Sequence, residues 1–469
     1  MREDLYMSIK QLNVVASQEN KTLLKNISFD VPRGRTVAVV GESGSGKSLT
    51  GLAIMGLLDN GKLRVSTGQM TVAGNDESGW SLCNEHQTNG PRAKKTAMIF
   101  QEPMSALNPL MTCGSQVHES ALLFSGGDET QAKRLVLELF HEVQLPEPNL
   151  IYEKYPHEIS GGQRQRVMIA MALASSPELL IADEPTTALD VTVQSEVLKL
   201  LKNLREKRGM SLVFITHDLA VVSEIADEVV VMSQGQIVES GSVQQVLFSP
   251  KHPYTQALIA CRPSPDSKGK SLITVKDVIE DRNTMIINSG HIKGKLLLDV
   301  KGLRKHYHNG SGRSITKALD DVSFSIHSGE TLGLVGESGC GKSTLSRLLM
   351  GFIAPDSGEV NYNFSSGEKL TLTPSKTKEL IRLRSKVQLV FQDPFSSLNP
   401  KMLVRNILKE PIENYTAKDQ RSIDAEVREL LDQVGLPADS ANKFPHEFSG
   451  GQRQRIVIAR ALACNPELL

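Results

Sequence analysis

Residues 37–50 read VAVVGESGSGKSLT. A β-branched run enters a glycine-rich turn and leaves it as an apolar stretch, with Gly41, Gly46, Lys47 and Ser48 at the spacing of a phosphate-binding loop. That spacing carries weight only between a strand and a helix, which is where it falls here. The glycines let backbone N–H groups turn inward around phosphate oxygens, and the following helix N-terminus adds a favourable dipole. On this reading Gly41, Glu42, Ser43, Gly44, Ser45, Gly46, Lys47, Ser48 and Leu49 line a nucleotide. Lys47 reaches the β and γ phosphates, and the Ser48 hydroxyl ligates Mg2+.

The stretch has a double. LGLVGESGCGKSTL occupies residues 332–345, at an offset of 295 from the first copy. There the same work falls to Gly336, Glu337, Ser338, Gly339, Cys340, Gly341, Lys342, Ser343 and Thr344, with Cys340 read as a small loop filler rather than a redox switch. IFQEPMSALNPLM at 99–111 returns as VFQDPFSSLNPKM, pairing Gln101 with Gln392 at an offset of 291. PHEISGGQRQR returns as PHEFSGGQRQR, pairing Ser160 with Ser449 at an offset of 289. Three motifs in one order with so small a drift mean two copies of one domain. The expected boundaries are 1–262 for the first copy, 263–294 for a polar linker with one short strand, and 295–469 for the second copy.

Within the first copy β-branched runs alternate with helical stretches near 48–58 and 192–206, the pattern of an α/β domain with a parallel sheet. Its working loops belong at the carboxyl ends of the strands. LLIADEPTTALD at 179–190 is an apolar strand ending in two acids. Because adjacent strand residues point to opposite faces, the two divide the labour: Asp183 holds the metal and Glu184 polarises the attacking water. SLVFITHDLA at 211–220 ends a second strand at His217, a candidate γ-phosphate contact. Gln101, following AMIF, is placed to sense metal or water.

The chain of 469 residues is 39% hydrophobic and 23% charged, an ordinary globular balance. Lys plus Arg and Asp plus Glu are 53 each, so net charge points to neither nucleic acid nor an anionic membrane surface. The five cysteines, Cys83, Cys113, Cys261, Cys340 and Cys464, lie far apart without metal-ligand spacing and read as reduced thiols. No run of about 18 apolar residues occurs, and the amino terminus does not read as a secretory signal.

The ordered set of Gly41–Ser48, Gln101, the SGGQ of Ser160–Gln163, LLIADE, the TALD of Thr187–Asp190 and His217 resembles the ATP-binding cassette ATPases. The resemblance implies P-loop NTPase domains in two tandem copies, binding ATP with Mg2+. It also implies that cassettes pair head to tail, within or between chains, with each ATP held between one phosphate loop and the opposite SGGQ. The first site then joins Gly41–Ser48, Gln101, Asp183, Glu184 and His217 to Ser449, Gly450, Gly451 and Gln452. The second joins Gly336–Ser343 and Gln392 to Ser160, Gly161, Gly162 and Gln163, with Ser343 and Gln392 at the metal. SPKHPYTQALIACRPSP at 249–265 narrows the likeness to the fused double-cassette ATPases of peptide, nickel and glutathione importers. Such a subunit works at the cytoplasmic side of a bacterial inner membrane with two permease subunits and a solute-binding protein, without nucleic acid. Only Cys261 follows the HPYT segment, so no iron–sulfur cluster is expected.

Two departures stand out. Tyr307 sits where such cassettes stack an aromatic ring on adenine, and aligning IKQL with VKGL puts Ala16 at the matching place. The offset of 289 puts the counterparts of Asp183 and Glu184 at 472 and 473, beyond Leu469. The second domain is therefore expected to be incomplete and marginally stable, a shortened copy of a longer protein. Two other functions stay open: a twin-cassette protein acting on ribosomes or DNA, which would carry long charged linkers or zinc-binding cysteines, and a nucleotide-gated module without turnover.

Overall fold

The computed structural model describes the chain apart from residues 1–3, 18–20, 59–60, 73–79, 82–94, 102–105, 188, 263–272, 281–293, 309–314, 338, 373–376, 394–396 and 417–418. Cys83, Ser338 and most of the stretch read as linker lie outside the described residues. The chain divides into two compact units, Met1–Asn288 and Ser289–Leu469.

The first unit carries two sheets. One is antiparallel, in the order β2-β1-β4-β5, from β1 (Leu5–Ala16), β2 (Thr22–Pro32), β4 (Leu63–Val72) and β5 (Trp80–Ser81). The other runs β10-β9-β3-β8-β7-β6, from β3 (Thr36–Val40), β6 (Thr96–Ile99), β7 (Leu179–Asp183), β8 (Ser211–Thr216), β9 (Glu228–Ser233) and β10 (Gln236–Ser242). Its first five members in space after β10 are parallel, and β10 closes it antiparallel. Every residue of β3, β7 and β8 is buried, which is why these strands read as unbroken apolar runs rather than alternating ones.

Among the described residues the helices are α1 (Lys47–Met55), α2 (Cys113–Phe124), α3 (Glu129–Glu142), α4 (Pro148–Glu153), α5 (Gly161–Leu173), α6 (Val191–Arg208), α7 (Leu219–Ile225), α8 (Val243–Phe248), α9 (Pro253–Ala260) and α10 (Val275–Ile279). One face of the parallel sheet packs Val37, Val39, Ile181 and Ile215 against α1 and the antiparallel sheet. The other face packs Ala38, Val40, Val229 and Val231 against α7, α8, α9 and α10. A third core joins α2, α3 and α5 through Val117, Val136, Phe140 and Val167. Each such buried Val, Ile or Phe side chain contributes about 1.5–3 kcal/mol.

The stretch 263–294 departs from expectation. Where one short strand was read, the described part forms the helix α10, capped by Thr274, whose hydroxyl accepts from the Asp277 N–H. Val275 and Val278 bury themselves beside α9, so this segment is part of the first unit's core rather than a spacer. Their period suits a helix, which the polar surroundings concealed.

The second unit repeats the antiparallel sheet as β12-β11-β13-β14, from β11 (Leu296–His308), β12 (Ile315–His327), β13 (Ser357–Asn363) and β14 (Lys369–Thr371). Its helices are α11 (Lys342–Leu349), α12 (Thr377–Lys386), α13 (Val404–Tyr415), α14 (Gln420–Gln433) and α15 (Gly450–Leu462). Residues 331–337, the counterpart of β3, form no strand here, and Leu332, Leu334 and Val335 are exposed, Val335 by 91%. In the first unit β3 holds its shape by hydrogen bonds to β8 and β9 on either side, and the described residues of the second unit supply no such neighbours.

The strand registers settle which residues of the two sheets correspond. Val14 opposes Leu24 as Lys305 opposes Leu319, and Val15 opposes Thr22 as His306 opposes Lys317. One step further along, Tyr307 opposes Thr316, and its counterpart Ala16 donates its N–H to the Lys21 carbonyl.

Candidate functional site

In a parallel sheet the carboxyl ends of the strands share one edge, so residues far apart in sequence meet there. β3 delivers the phosphate loop, β6 delivers Gln101, β7 delivers Asp183 and Glu184, and β8 delivers His217. Gly41 (φ +151°) and Gly46 (φ +103°) are required by close approach as well as by dihedral angle. A Cβ on Gly41 would stand 2.1 Å from the Met232 carbonyl oxygen, and one on Gly46 would stand 2.5 Å from Leu24 Cδ2. Leu49 lies against the core on the first turn of α1.

Lys47 is 5% exposed, and its Nζ donates to the carbonyls of Gly41 (2.8 Å) and Glu42 (2.9 Å). These bonds hold the ammonium inside the mouth of the loop. Burial lowers its pKa below the ordinary lysine range, although Glu184 and Asp183 both favour the charged form. Ser48 Oγ donates to Asp183 Oδ1 at 2.9 Å, joining the loop to the end of β7. Burial pushes the Asp183 carboxyl up to about 6 against that bond, because a carboxylate this enclosed lacks enough positive charge around it. A hydroxyl and a carboxylate side by side are hard oxygen donors, and the deficit of positive charge between them fits Mg2+.

Glu184 does not follow the regular alternation expected of it. The strand ends at Asp183, and Glu184 takes a left-handed backbone (φ +46°) while its N–H bonds to the Ile215 carbonyl at 2.9 Å. Such a backbone costs a side-chain-bearing residue on the order of 1 kcal/mol. The turn brings both carboxylates to the same edge instead of opposite faces, with separate hydrogen-bond partners. Asp183 bonds to Ser48, whereas Glu184 accepts from Gln101 Nε2 at 3.0 Å and from Thr187 Oγ1 at 2.9 Å. His217 Nδ1 lies 3.1 Å from the other Glu184 oxygen. Burial alone would raise the Glu184 pKa, but the His217 bond, Thr187 and Lys47 together hold it below the usual carboxylate value. The same bond raises His217 above an ordinary histidine. The result is an ionised acceptor, buried to 8% exposure, beside the phosphate loop.

Gln101 thus sits with Glu184 rather than with the Ser48–Asp183 pair. Two contributors escaped the sequence reading. Thr187 lies within the quoted TALD but had no role assigned, and its bond to Glu184 is local enough to have been found. Tyr254 accepts from the Glu42 N–H at 3.1 Å across 212 residues of chain, a contact no local pattern announces.

Ser160 caps α5 through a reciprocal pair: its Oγ accepts from the Gln163 N–H (3.2 Å), and Gln163 Oε1 accepts from the Ser160 N–H (2.9 Å). Gln163 therefore shapes the helix end, and the N–H groups of Gly161 and Gly162, in the first turn, have no acceptor within the helix. Ser449 and Gln452 cap α15 in the same way, ahead of Gly450 and Gly451. The second phosphate loop is the same turn as the first: Gly339 and Gly341 have φ +85° and +102° against +82° and +103° for Gly44 and Gly46. Lys342 Nζ again donates to the first two loop carbonyls, Gly336 (2.5 Å) and Glu337 (2.6 Å), and lies 3.6 Å from Cys340 Sγ. Ser343 and Thr344 open α11, and Gln392 is exposed. Tyr307 is 43% exposed, with Lys305 Nζ 5.8 Å from its ring centre. Among the described residues no group of three metal-ligating side chains occurs, and no helix is long and apolar enough to cross a membrane.

Residues 24–187 and 319–469 match the family described as ABC transporter, and residues 238–286 match the oligopeptide/dipeptide transporter C-terminal region. The chain is 41% identical over 479 residues to the glutathione import ATP-binding protein GsiA of Salmonella typhimurium, covering 99% of this chain and 76% of that protein. It is also 41% identical over 486 residues to GsiA of Escherichia coli, with the same coverage. Among solved structures, CbiO1 of Clostridium perfringens, part of the ABC transporter complex CbiONQ, is 25% identical with a TM-score of 0.45, covering 53% of this chain and 92% of that one.

Proposed function

The chain belongs to the ATP-binding cassette transporter ATPases, and from that premise we propose that it energises uptake of glutathione or another small peptide through separate permease subunits. It is the ATP-binding subunit of an importer of the peptide type and hydrolyses ATP. The observation that carries the residue assignment is the buried Glu184, held ionised by His217, Thr187 and Lys47 within the reach of the phosphate loop.

In this reading the loop N–H groups and Lys47 hold the triphosphate, and Ser48 and Asp183 would hold Mg2+. When bound, Mg2+ neutralises charge on the β and γ phosphates. Glu184 accepts a hydrogen bond from the attacking water and takes its proton as the oxygen bonds to the γ phosphorus. The bond from that phosphorus to the β-phosphate oxygen breaks, leaving ADP and inorganic phosphate. Gln101 and His217 fix the carboxylate in the position this requires. The free N–H groups behind Ser160 and Ser449 contact nucleotide when cassettes pair. The subunit lies at the cytoplasmic face of the inner membrane, attached to two permeases and served by a solute-binding protein. Reconstituting the chain with its permeases in vesicles tests the assignment: ATP-driven glutathione or dipeptide uptake is expected, and uptake that proceeds unchanged with the chain omitted would refute it.

The first site lacks the ring that Tyr307 offers the second, since Ala16 occupies that register position. Stacking a base on an aromatic ring contributes about 1–3 kcal/mol. Ala16→Tyr, made together with Lys342→Met so that binding reports the first site, should tighten ATP about 5- to 150-fold. Competition with pyrimidine nucleotides, which stack more weakly, measures the accompanying gain in adenine preference.

A further inference from the structure

The HPYT segment carries Tyr254, by which the extension of residues 238–286 grips the phosphate loop. Glu239 accepts from the N–H groups of Lys251 (2.8 Å) and His252 (3.1 Å), which pins the chain entering α9. His252 Nδ1 accepts from the Tyr254 N–H at 3.1 Å and caps that helix. Tyr254, 7% exposed, is thereby driven down among Ala38 and Val40 of β3 and Val231 of β9. Its hydroxyl emerges from this apolar packing at Glu42, with Ser233 also within its reach. Tyr254 Oη accepts from the Glu42 N–H at 3.1 Å and donates to the Glu42 carboxylate at 3.4 Å. Burial raises the phenol above an ordinary tyrosine, so it stays protonated and serves both bonds.

Glu42 faces the other way as well. Its carbonyl is one of the two that hold the Lys47 ammonium, at 2.9 Å. Tyr254 and Lys47 therefore grip the same residue, one at its N–H and one at its carbonyl. We propose that Tyr254 is a positioning residue for nucleotide binding: its hydroxyl fixes the entry of the phosphate loop, and so the seat of Lys47, from the extension that follows the first cassette. The proposal rests on the reading of Gly41–Ser48 as the nucleotide site. It assigns the extension a direct hold on that site. Loosening the extension would then lower ATP affinity without touching the groups that react.

Tyr254→Phe keeps the ring in its apolar seat and removes only the oxygen. The bond from the Glu42 N–H is a neutral one, and its loss weakens what it organises by about 3- to 10-fold. The expected result in the full chain is a KM for ATP raised by about that factor with kcat within about twofold. Deuterium uptake at the peptide holding Glu42 should quicken, while the Tm stays within a few degrees. A merely structural tyrosine would lower the Tm and leave both KM and the Glu42 exchange rate alone, and that outcome overturns the proposal. An unchanged variant overturns it too, as does an equal fall in kcat and kcat/KM, which would put the hydroxyl in the reaction itself. If instead the unaltered chain shows no ATP binding that depends on Lys47, the nucleotide-site reading fails, a result distinguishable because it appears without any change at Tyr254.

Discussion

Glu184→Gln should bind ATP about as tightly as the unaltered chain and turn it over about 100- to 1000-fold more slowly. The amide keeps the shape and volume of the carboxyl, and one of its atoms still accepts from Thr187 Oγ1, which now lies 2.9 Å away. What it cannot do is take a proton from water, the step that general-base catalysis typically accelerates by about 10²–10⁴. The carboxylate is well suited to the task in the native chain. Burial opposes its charge, and His217, Thr187 and Lys47 overcome that opposition, so it is ionised at neutral pH yet poorly hydrated. Parallel measurement of steady-state hydrolysis and of equilibrium binding of a labelled nucleotide separates the two effects. Turnover above about a tenth of the native rate would remove Glu184 from its assigned place.

Lys47→Met should do the reverse, abolishing binding rather than sparing it. Hydrogen bonds to a charged donor contribute about 1.5–3 kcal/mol each, and an ammonium shared between two phosphates makes at least two. Loss of affinity by roughly 100-fold or more follows. The variant should nonetheless remain as stable as the native chain. Burial holds the Lys47 pKa below its ordinary value, meaning that the charge is harder to carry there than in water. For a cationic group with a lowered pKa, the deficit is full below that pKa, fades as pH rises from it toward the ordinary lysine value, and is gone above that value. Methionine fills the same volume without that charge. A nucleotide titration followed by thermal melts reads both properties, and a variant that melts early while still binding would reverse the assignment.

Much of the candidate site was legible in the sequence because its determinants are local. A phosphate loop is a backbone event completed within eight residues, and the glycines at 41 and 46 mark the positions where no Cβ can stand. The helix caps behind Ser160 and Ser449 are equally local, a serine and a glutamine three residues apart. The second copy was legible for a different reason: order and spacing repeat, and the matched φ angles of the two loops are the structural counterpart of that repetition. Less visible was the antiparallel sheet that supports each phosphate loop. Its strands are joined by pairings whose registers shift at several points, and no short window of sequence contains a complete pairing.

Sequence alone established that this chain carries two glycine-rich loops of phosphate-binding spacing, each followed by a glutamine and an SGGQ segment, and that the first is further followed by paired acids and a histidine. It did so because backbone turns and caps depend on residues within one or two turns of each other. The packed fold decided that Glu184 leaves the strand to join Asp183 on one edge, through a left-handed turn closed by the Ile215 carbonyl on a neighbouring strand. It also decided that Tyr254 meets Glu42 across 212 residues. Both outcomes depend on how separately formed strands and helices stack, and stacking is set by the shapes of whole buried faces rather than by the order of residues along any one of them.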